Sequence, residues 1–123
     1  MHAMIITNNN SLKALPISLV IKLACETCGI TQEEFHHTSR KKEIVNARYI
    51  AMIYMVKNGK YGTKLSQAMV GFLCGGKDHA SVIHALNKNA DLLAIKDIDW
   101  ITLITIFIDK ITDLSPRYSV VME

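Results

Sequence analysis

Apolar residues recur along this chain at intervals of three and four positions, a spacing that predicts amphipathic helices. The pattern predicts a first helix that starts at Pro16 and ends before Gly29, and a longer helix over residues 43–57. A short helix is expected between them, because Thr31 and Glu34 have the spacing of a capping box. No segment shows sustained two-residue alternation, so the predicted fold class is all-α.

The second half of the chain predicts two helices joined by a tight turn. A helix with Thr63 as its N-cap is expected to run to about Leu73, and Gly75-Gly76 then breaks the chain before another helix starts near Asp78. This second helix has one apolar stripe and a polar first turn. The arrangement is typical of a helix-turn-helix.

A last helix is predicted over about residues 97–114. Its broad apolar arc, between Trp100 and Leu114, suits either a closing helix of the monomer core or the surface of a homodimer. The longest apolar run, Trp100 to Ile108, is far shorter than the roughly 18 residues that a membrane span needs. The tail around Pro116 is expected to be loose.

Size and charge narrow the function classes. The 123 residues, half of them hydrophobic, predict a single domain over residues 1–123. The first ten residues lack a basic cluster followed by an apolar stretch, so a cytoplasmic location is expected. Residues 40–88 carry nine bases against two acids, whereas both flanking segments are mildly acidic. A basic segment of this kind fits phosphate binding, although a solvated lysine-rich face is the alternative.

Two cysteines raise the question of a metal. Cys25 and Cys28 form a C-x-x-C pair with His36 and His37 downstream, which is compatible with a zinc site. The pair lies inside the apolar pattern of the first helix, however, where cysteine serves as a small buried hydrophobe. We therefore expect core cysteines and no bound metal or other cofactor.

Enzymatic chemistry finds little support in the sequence. Residues 71–77 fit the first seven positions of a phosphate-binding P-loop, but Asp78 stands where magnesium needs a hydroxyl, and a helical pattern precedes the loop where a β-strand should. Asp78, His79 and Ser81 lie on one helical turn and cannot face one another as a catalytic triad. We expect neither catalysis nor nucleotide binding.

A helix-turn-helix with a polar second helix has a physical use in reading DNA. A recognition helix enters the major groove by its N-terminal end, where short polar side chains meet base edges. There Asp78 can accept a hydrogen bond from cytosine, His79 can contact base edges, and Ala80 is small enough to admit a thymine methyl group. The alternative is that Asp78 only caps the helix and His79 lies on the surface.

Three motifs, in order over residues 24–88, carry a family resemblance. Residues 75–85 resemble the signature G-G-K/R-D-H-A/T-S/T-V-I/L-H-A of the C-terminal DNA-binding domain, domain IV, of the bacterial replication initiator DnaA. Residues 39–52 resemble the basic loop and long helix of that domain, and residues 24–31 resemble its first helix. The resemblance implies a Trp-repressor-like helical core over about residues 14–94, with the helix at about 97–114 as an addition.

The same resemblance implies roles for nine residues. Arg40 falls where the family reaches into the minor groove, and Lys42 and Arg48 fall where it contacts the DNA backbone. His84 is expected either to touch a phosphate or to pack as a half-buried helix residue. The turn that reads bases in the major groove comprises Lys77, Asp78, His79, Ala80 and Ser81.

The sequence also departs from the family pattern. An insertion is expected around Asn58 to Thr63, Cys74 replaces the usual phenylalanine, and the ATPase module of the initiator has no counterpart. We predict sequence-specific binding of double-stranded DNA at DnaA-box-like sites, by a replication-related or transcriptional regulator without ATPase activity. The alternative is a helical protein-interaction module that uses its C-terminal helix and binds DNA weakly and without specificity.

Overall fold

The computed structural model describes residues 5–7, 13–59 and 65–123. Six helices dominate these residues, and a short antiparallel pair of strands joins the two ends of the chain. The predicted all-α class is confirmed, with this strand pair as an addition. In chain order the elements are β1 (Ile5–Thr7), α1 (Ile17–Cys28), α2 (Gln32–His36), α3 (Lys42–Asn58), α4 (Gln67–Leu73), α5 (His79–Ala94), α6 (Ile98–Leu114) and β2 (Val120–Val121).

Local capping sets the ends of the first two helices. Pro16 precedes α1, and Gly29 ends it in a left-handed conformation, φ 70°. The predicted capping box of α2 is present: the Glu34 amide donates to Thr31 Oγ1 over 3.0 Å, and the Thr31 amide donates to Glu34 Oε1 over 2.9 Å. The hydrogen bond from the Thr31 amide lowers the pKa of the Glu34 carboxyl group.

Helix α3 forms the centre of the core. It packs against α1, α4, α5 and β2, and ten of its 17 residues are buried. Ala47, Ile50, Ala51 and Ile53 have no exposed surface and lie on different sides of the helix. A helix buried around most of its circumference needs neighbours on several sides, which α1 and α5 provide.

Helix α6 closes the core from the C-terminal side. It packs against α1 and α5, and its buried residues are Trp100, Ile104, Phe107, Ile108 and Ile111. The apolar arc is therefore used within the chain itself, as expected of a closing helix. The homodimer through the Trp100–Leu114 helix stays a prediction. No helix among the described residues is long and apolar enough to cross a membrane.

The tail after Pro116 is packed, and the prediction of a loose tail was wrong. Ser119, Val120 and Met122 are all buried. Their backbone is held by polar side chains inside the helical core: the Tyr54 hydroxyl donates to the Ser119 carbonyl over 2.7 Å, and Asn89 Nδ2 donates to the Met122 carbonyl over 2.7 Å.

Asn58, the last residue of α3, completes this attachment. Its Nδ2 donates to the Val121 carbonyl, and its Oδ1 accepts from the Val121 amide and the Ser119 hydroxyl, each over 2.9 Å. A buried asparagine whose amide is fully partnered fixes the backbone that it binds. The tail is ordered by these long-range bonds, which helical periodicity cannot reveal.

The start of α4 also differs from the expectation. The helix begins at Gln67 with Ser66 as its N-cap, whose hydroxyl accepts from the Met69 amide over 3.1 Å. Thr63, the predicted cap, lies outside the described residues, as does most of the expected insertion. The predicted end at Leu73 is confirmed.

Candidate nucleic-acid interface

Helices α4 and α5 form a helix-turn-helix around two glycines. Gly75 and Gly76 adopt left-handed conformations, φ 91° and 68°, which glycine adopts without steric strain. The Lys77 amide donates to the Gly71 carbonyl over 2.8 Å, so the turn folds back on α4. A Cβ atom at Gly71 would lie 2.5 Å from the Asp78 carbonyl oxygen. The two helices therefore approach so closely that position 71 excludes any side chain.

Asp78 caps the recognition helix α5. Its Oδ1 accepts from the Ser81 amide over 3.1 Å and from the Ser81 hydroxyl over 3.4 Å. The bond from the Ser81 amide lowers the pKa of Asp78. The capping role is thus observed. The carboxylate is also exposed, which leaves the predicted base contact as a prediction.

The first turns of α5 present polar residues outward and apolar residues inward. Val82 and Ala85 are fully buried and anchor the helix to the core. His79 and Ala80 are exposed. His84, one turn further along, is exposed too, and its ring meets the Tyr49 ring edge-on, with centroids 5.9 Å apart.

The basic arm, residues 37–41, connects α2 to α3. All three cations here are exposed, namely Arg40 and Lys41 in the arm and Lys42, the first residue of α3. The Lys41 amide donates to the Ser39 hydroxyl over 3.2 Å, which turns the chain just before the helix. The exposed cations predicted from the sequence are therefore free to meet an anionic partner.

Arg48 is largely buried and is bonded to the backbone of its own chain. Its residue surface is only 3% exposed, and burial lowers the pKa of its guanidinium. The Nε atom donates to the Phe35 carbonyl over 2.9 Å, Nη1 donates to the Ser39 carbonyl over 3.0 Å, and Nη2 donates to the His37 carbonyl. Because α2 ends there, these carbonyls lack helical partners. All three guanidinium nitrogens thus donate to the chain's own backbone, and the contact to a DNA phosphate stays a prediction.

A cleft of about 290 Å³ brings several of these elements together. Four predicted site residues line it, namely Arg40, Arg48, Lys77 and Ser81. Lys42, Asp78, His79, Ala80 and His84 do not line it. Sequence reasoning missed four further lining residues, which are Ser39, Val45, Tyr49 and Met52. Of these, Tyr49 had a signal in the sequence, an aromatic residue directly after Arg48 in the basic segment. The cleft separates the basic arm from the start of α5.

The cysteines lie within the helical core. Cys25 and Cys74 are buried, and Cys28 is partly buried. Burial raises the pKa of Cys25 to about 11 and the pKa values of Cys28 and Cys74 to about 12. Over residues 13–59 and 65–123, no three His, Cys, Asp or Glu side chains are placed to hold a metal ion. The segment that fits part of a P-loop, residues 71–77, begins inside helix α4, so a helix directly precedes its turn.

Comparison with known proteins decides the family. A family model described as the bacterial DnaA protein helix-turn-helix matches residues 17–88, more than half of the chain. The chain belongs to this family. The match runs from α1 into α5 and contains all nine predicted site residues, whereas α6 and the tail lie beyond it. The DnaA resemblance stated from the three motifs is thereby confirmed.

Two individual DnaA proteins are each 40% identical to part of this chain. The chromosomal replication initiator protein DnaA of Bacteroides thetaiotaomicron is 40% identical over 77 residues, which are 63% of this chain and 16% of that protein. DnaA of Thermodesulfovibrio yellowstonii is 40% identical over 100 residues, 81% of this chain and 22% of that protein. The chain thus spans less than a quarter of these relatives. No solved structure matches it.

Proposed function

We propose that this protein binds double-stranded DNA sequence-specifically at DnaA-box-like sites and acts as a replication-related or transcriptional regulator without catalysis. Membership in a DNA-binding helix-turn-helix family supports DNA binding. The observation that carries the finer proposal is the placement of the exposed start of α5 and the basic arm on either side of one cleft.

The two sides of the cleft suit two grooves of one duplex. The N-terminal end of α5 enters the major groove, where His79 and Ala80 are exposed to base edges and Asp78 accepts from a cytosine amino group. Arg40, across the cleft, enters the neighbouring minor groove, whose negative potential attracts a guanidinium. The phosphate backbone between the grooves then passes over the cleft, with Lys77 and Ser81 at its wall.

Two further predicted residues, Lys42 and His84, position the protein on the duplex. Lys42 is exposed at the first residue of α3 and contacts a phosphate without reading sequence. His84 is exposed on the next turn of α5 and approaches the same strand, with its ring held against Tyr49. These contacts add affinity for any duplex, and the exposed residues at the start of α5 add discrimination.

Titration of two duplexes at one stated salt concentration tests the proposal. One duplex carries a DnaA box, and the other has the same composition in scrambled order. We expect tighter binding to the box, by at least tenfold. Equal affinity would contradict sequence reading and favour the protein-interaction module with weak DNA binding.

Two variants separate the proposed contacts. Lys42→Ala should weaken binding to both duplexes and reduce the slope of log K against log salt by about one, because one fewer counterion is released. Asp78→Ala should weaken binding to the box alone, by about 5- to 150-fold, and relax discrimination at one base pair. Lys110→Ala, on α6, is the matched control and should change neither quantity. Reduced stability with unchanged base preference would leave Asp78 with its capping role only.

A further inference from the structure

Arg48 is the one predicted site residue that the proposed DNA contacts do not use. Its guanidinium donates to the carbonyls of Phe35, His37 and Ser39, three alternate residues of one segment. A single planar group therefore fixes the path of the chain from the end of α2 into the basic arm. Arg40 is the next residue after the last of these carbonyls.

The same side chain also contacts the turn of the helix-turn-helix. A Cβ atom at Gly75 would lie 2.8 Å from Arg48 Nε, 3.4 Å from Arg48 Cδ and 3.2 Å from the Phe35 carbonyl oxygen. The backbone of Gly75 is thus packed directly against the guanidinium. Arg48 lies between the segment that leads to Arg40 and the turn that leads to α5.

A direct contact from Arg48 to DNA conflicts with this arrangement. The residue is 3% exposed, and each of its three nitrogens donates to a carbonyl. The two guanidinium N–H groups that remain belong to a residue with almost no exposed surface. A full phosphate contact would draw the side chain outward and away from the Phe35 carbonyl, which would then lose its donor. Lysine could not replace it, because a single ammonium nitrogen cannot reproduce the planar fork of a guanidinium.

We propose that Arg48 is a positioning residue, which sets the distance between the minor-groove arginine Arg40 and the recognition helix α5. The inference rests on the proposed DNA-reading function and deepens it. Through Arg48, the position of Arg40 in the minor groove depends on the position of α5 in the major groove. The protein therefore reads both grooves in one register. Arg48 thus contributes to DNA binding by holding Arg40 in position.

A double-mutant cycle on the box duplex tests this role, using the full chain and the variants Arg40→Ala, Arg48→Lys and both together. With native Arg48, Arg40→Ala should weaken box binding by about 5- to 150-fold, the range of a good base-edge contact. In the Arg48→Lys background, the same change should cost less than about threefold, because the arm is no longer held. If Arg48 instead contacted a phosphate directly, Arg40→Ala would weaken box binding by the same factor in both backgrounds. That result would overturn the proposal.

Two insertions test the same claim without altering Arg48. Gly-Gly between Ser39 and Arg40 separates Arg40 from the Ser39 carbonyl that Arg48 binds, and surface loops tolerate such insertions. Gly-Gly between Arg40 and Lys41 leaves Arg40 next to Ser39, whose carbonyl Arg48 binds, and is the matched control. The first insertion should abolish the effect of Arg40→Ala on box binding, and the second should preserve most of it. If only the second insertion abolished the effect of Arg40→Ala, Arg40 would be positioned by its link to α3, which would contradict the proposal. A native protein that does not distinguish the box from the scrambled duplex would instead refute the proposed function.

Discussion

Gly71→Ala perturbs the contact that sets the start of the recognition helix. A Cβ atom at position 71 would lie 2.5 Å from the Asp78 carbonyl oxygen, 2.8 Å from the Lys77 carbonyl oxygen and 2.9 Å from the Asp78 carbonyl carbon. All three are backbone atoms of the turn and the N-cap of α5, so no side chain can rotate away. The closest pair must separate by about 0.5 Å to reach the shortest distance that real Cβ atoms show.

Two opposing effects decide the change in stability. Alanine in place of a helical glycine stabilises by about 0.5–1 kcal/mol through the lower entropy of the unfolded chain. Overpacking against a backbone that cannot give way costs about 1–3 kcal/mol. The cost of the clash exceeds the entropic stabilisation, so we expect the free energy of unfolding to fall by about 1–2 kcal/mol. The Tm should fall by about 3–8 °C.

DNA binding should respond as well, because a base-reading site tolerates about 0.5 Å of displacement before its contacts loosen. We expect Gly71→Ala to weaken box binding at least tenfold and to change binding to the scrambled duplex less. Thermal unfolding and duplex titration measure the two effects. Gly59→Ala is the matched control, since its φ is −64° and a Cβ atom there meets nothing within 4 Å. It should leave box binding unchanged and should not lower the Tm. A Gly71→Ala protein with native Tm and native box affinity would refute the reasoning.

Three other predictions concern stability and reactivity. Asn58→Ala should lower the free energy of unfolding by about 1–3 kcal/mol, because it leaves buried polar groups of the tail without partners; an unchanged urea midpoint would contradict this. The lowered pKa of Glu34 stabilises the fold above its ordinary pKa of 4.5, and this contribution is lost as the pH falls through the folded pKa. Glu34→Gln should therefore flatten the acid side of a stability profile, and an equally steep fall would argue against it. Because burial raises the pKa of Cys74 to about 12, its thiol should react with Ellman's reagent at pH 8 only after unfolding, and rapid modification of Cys74 itself in the folded chain would show otherwise.

The main helices could be predicted from local patterns alone. Apolar periodicity placed α3 within about one residue of its observed ends, and Thr31 with Glu34 indicated the capping box of α2. Asp78 was predicted near the start of α5 and is its N-cap. These features depend on residues a few positions apart, so the sequence displays them directly.

Features that depend on distant residues were not predictable in this way. The packed tail rests on Tyr54 and Asn89, which lie 65 and 33 positions from the carbonyls that they bind. Arg48 reads as a surface cation in a basic segment, and only the meeting of α2, α3 and the glycine turn shows that it is buried. The cleft likewise joins Ser39 to Lys77, which no local pattern connects.

Selection of bound duplexes from a random pool tests sequence-specific DNA binding most directly. The native protein is incubated with random-sequence duplexes at a fixed salt concentration high enough to suppress purely electrostatic binding. Bound duplexes are recovered, amplified and sequenced over several rounds. We predict enrichment of one DnaA-box-like motif flanked by an A/T-rich minor groove, with discrimination at one position lost for Asp78→Ala. A pool that stays unenriched while the protein still binds DNA would contradict sequence reading and leave charge-driven binding alone.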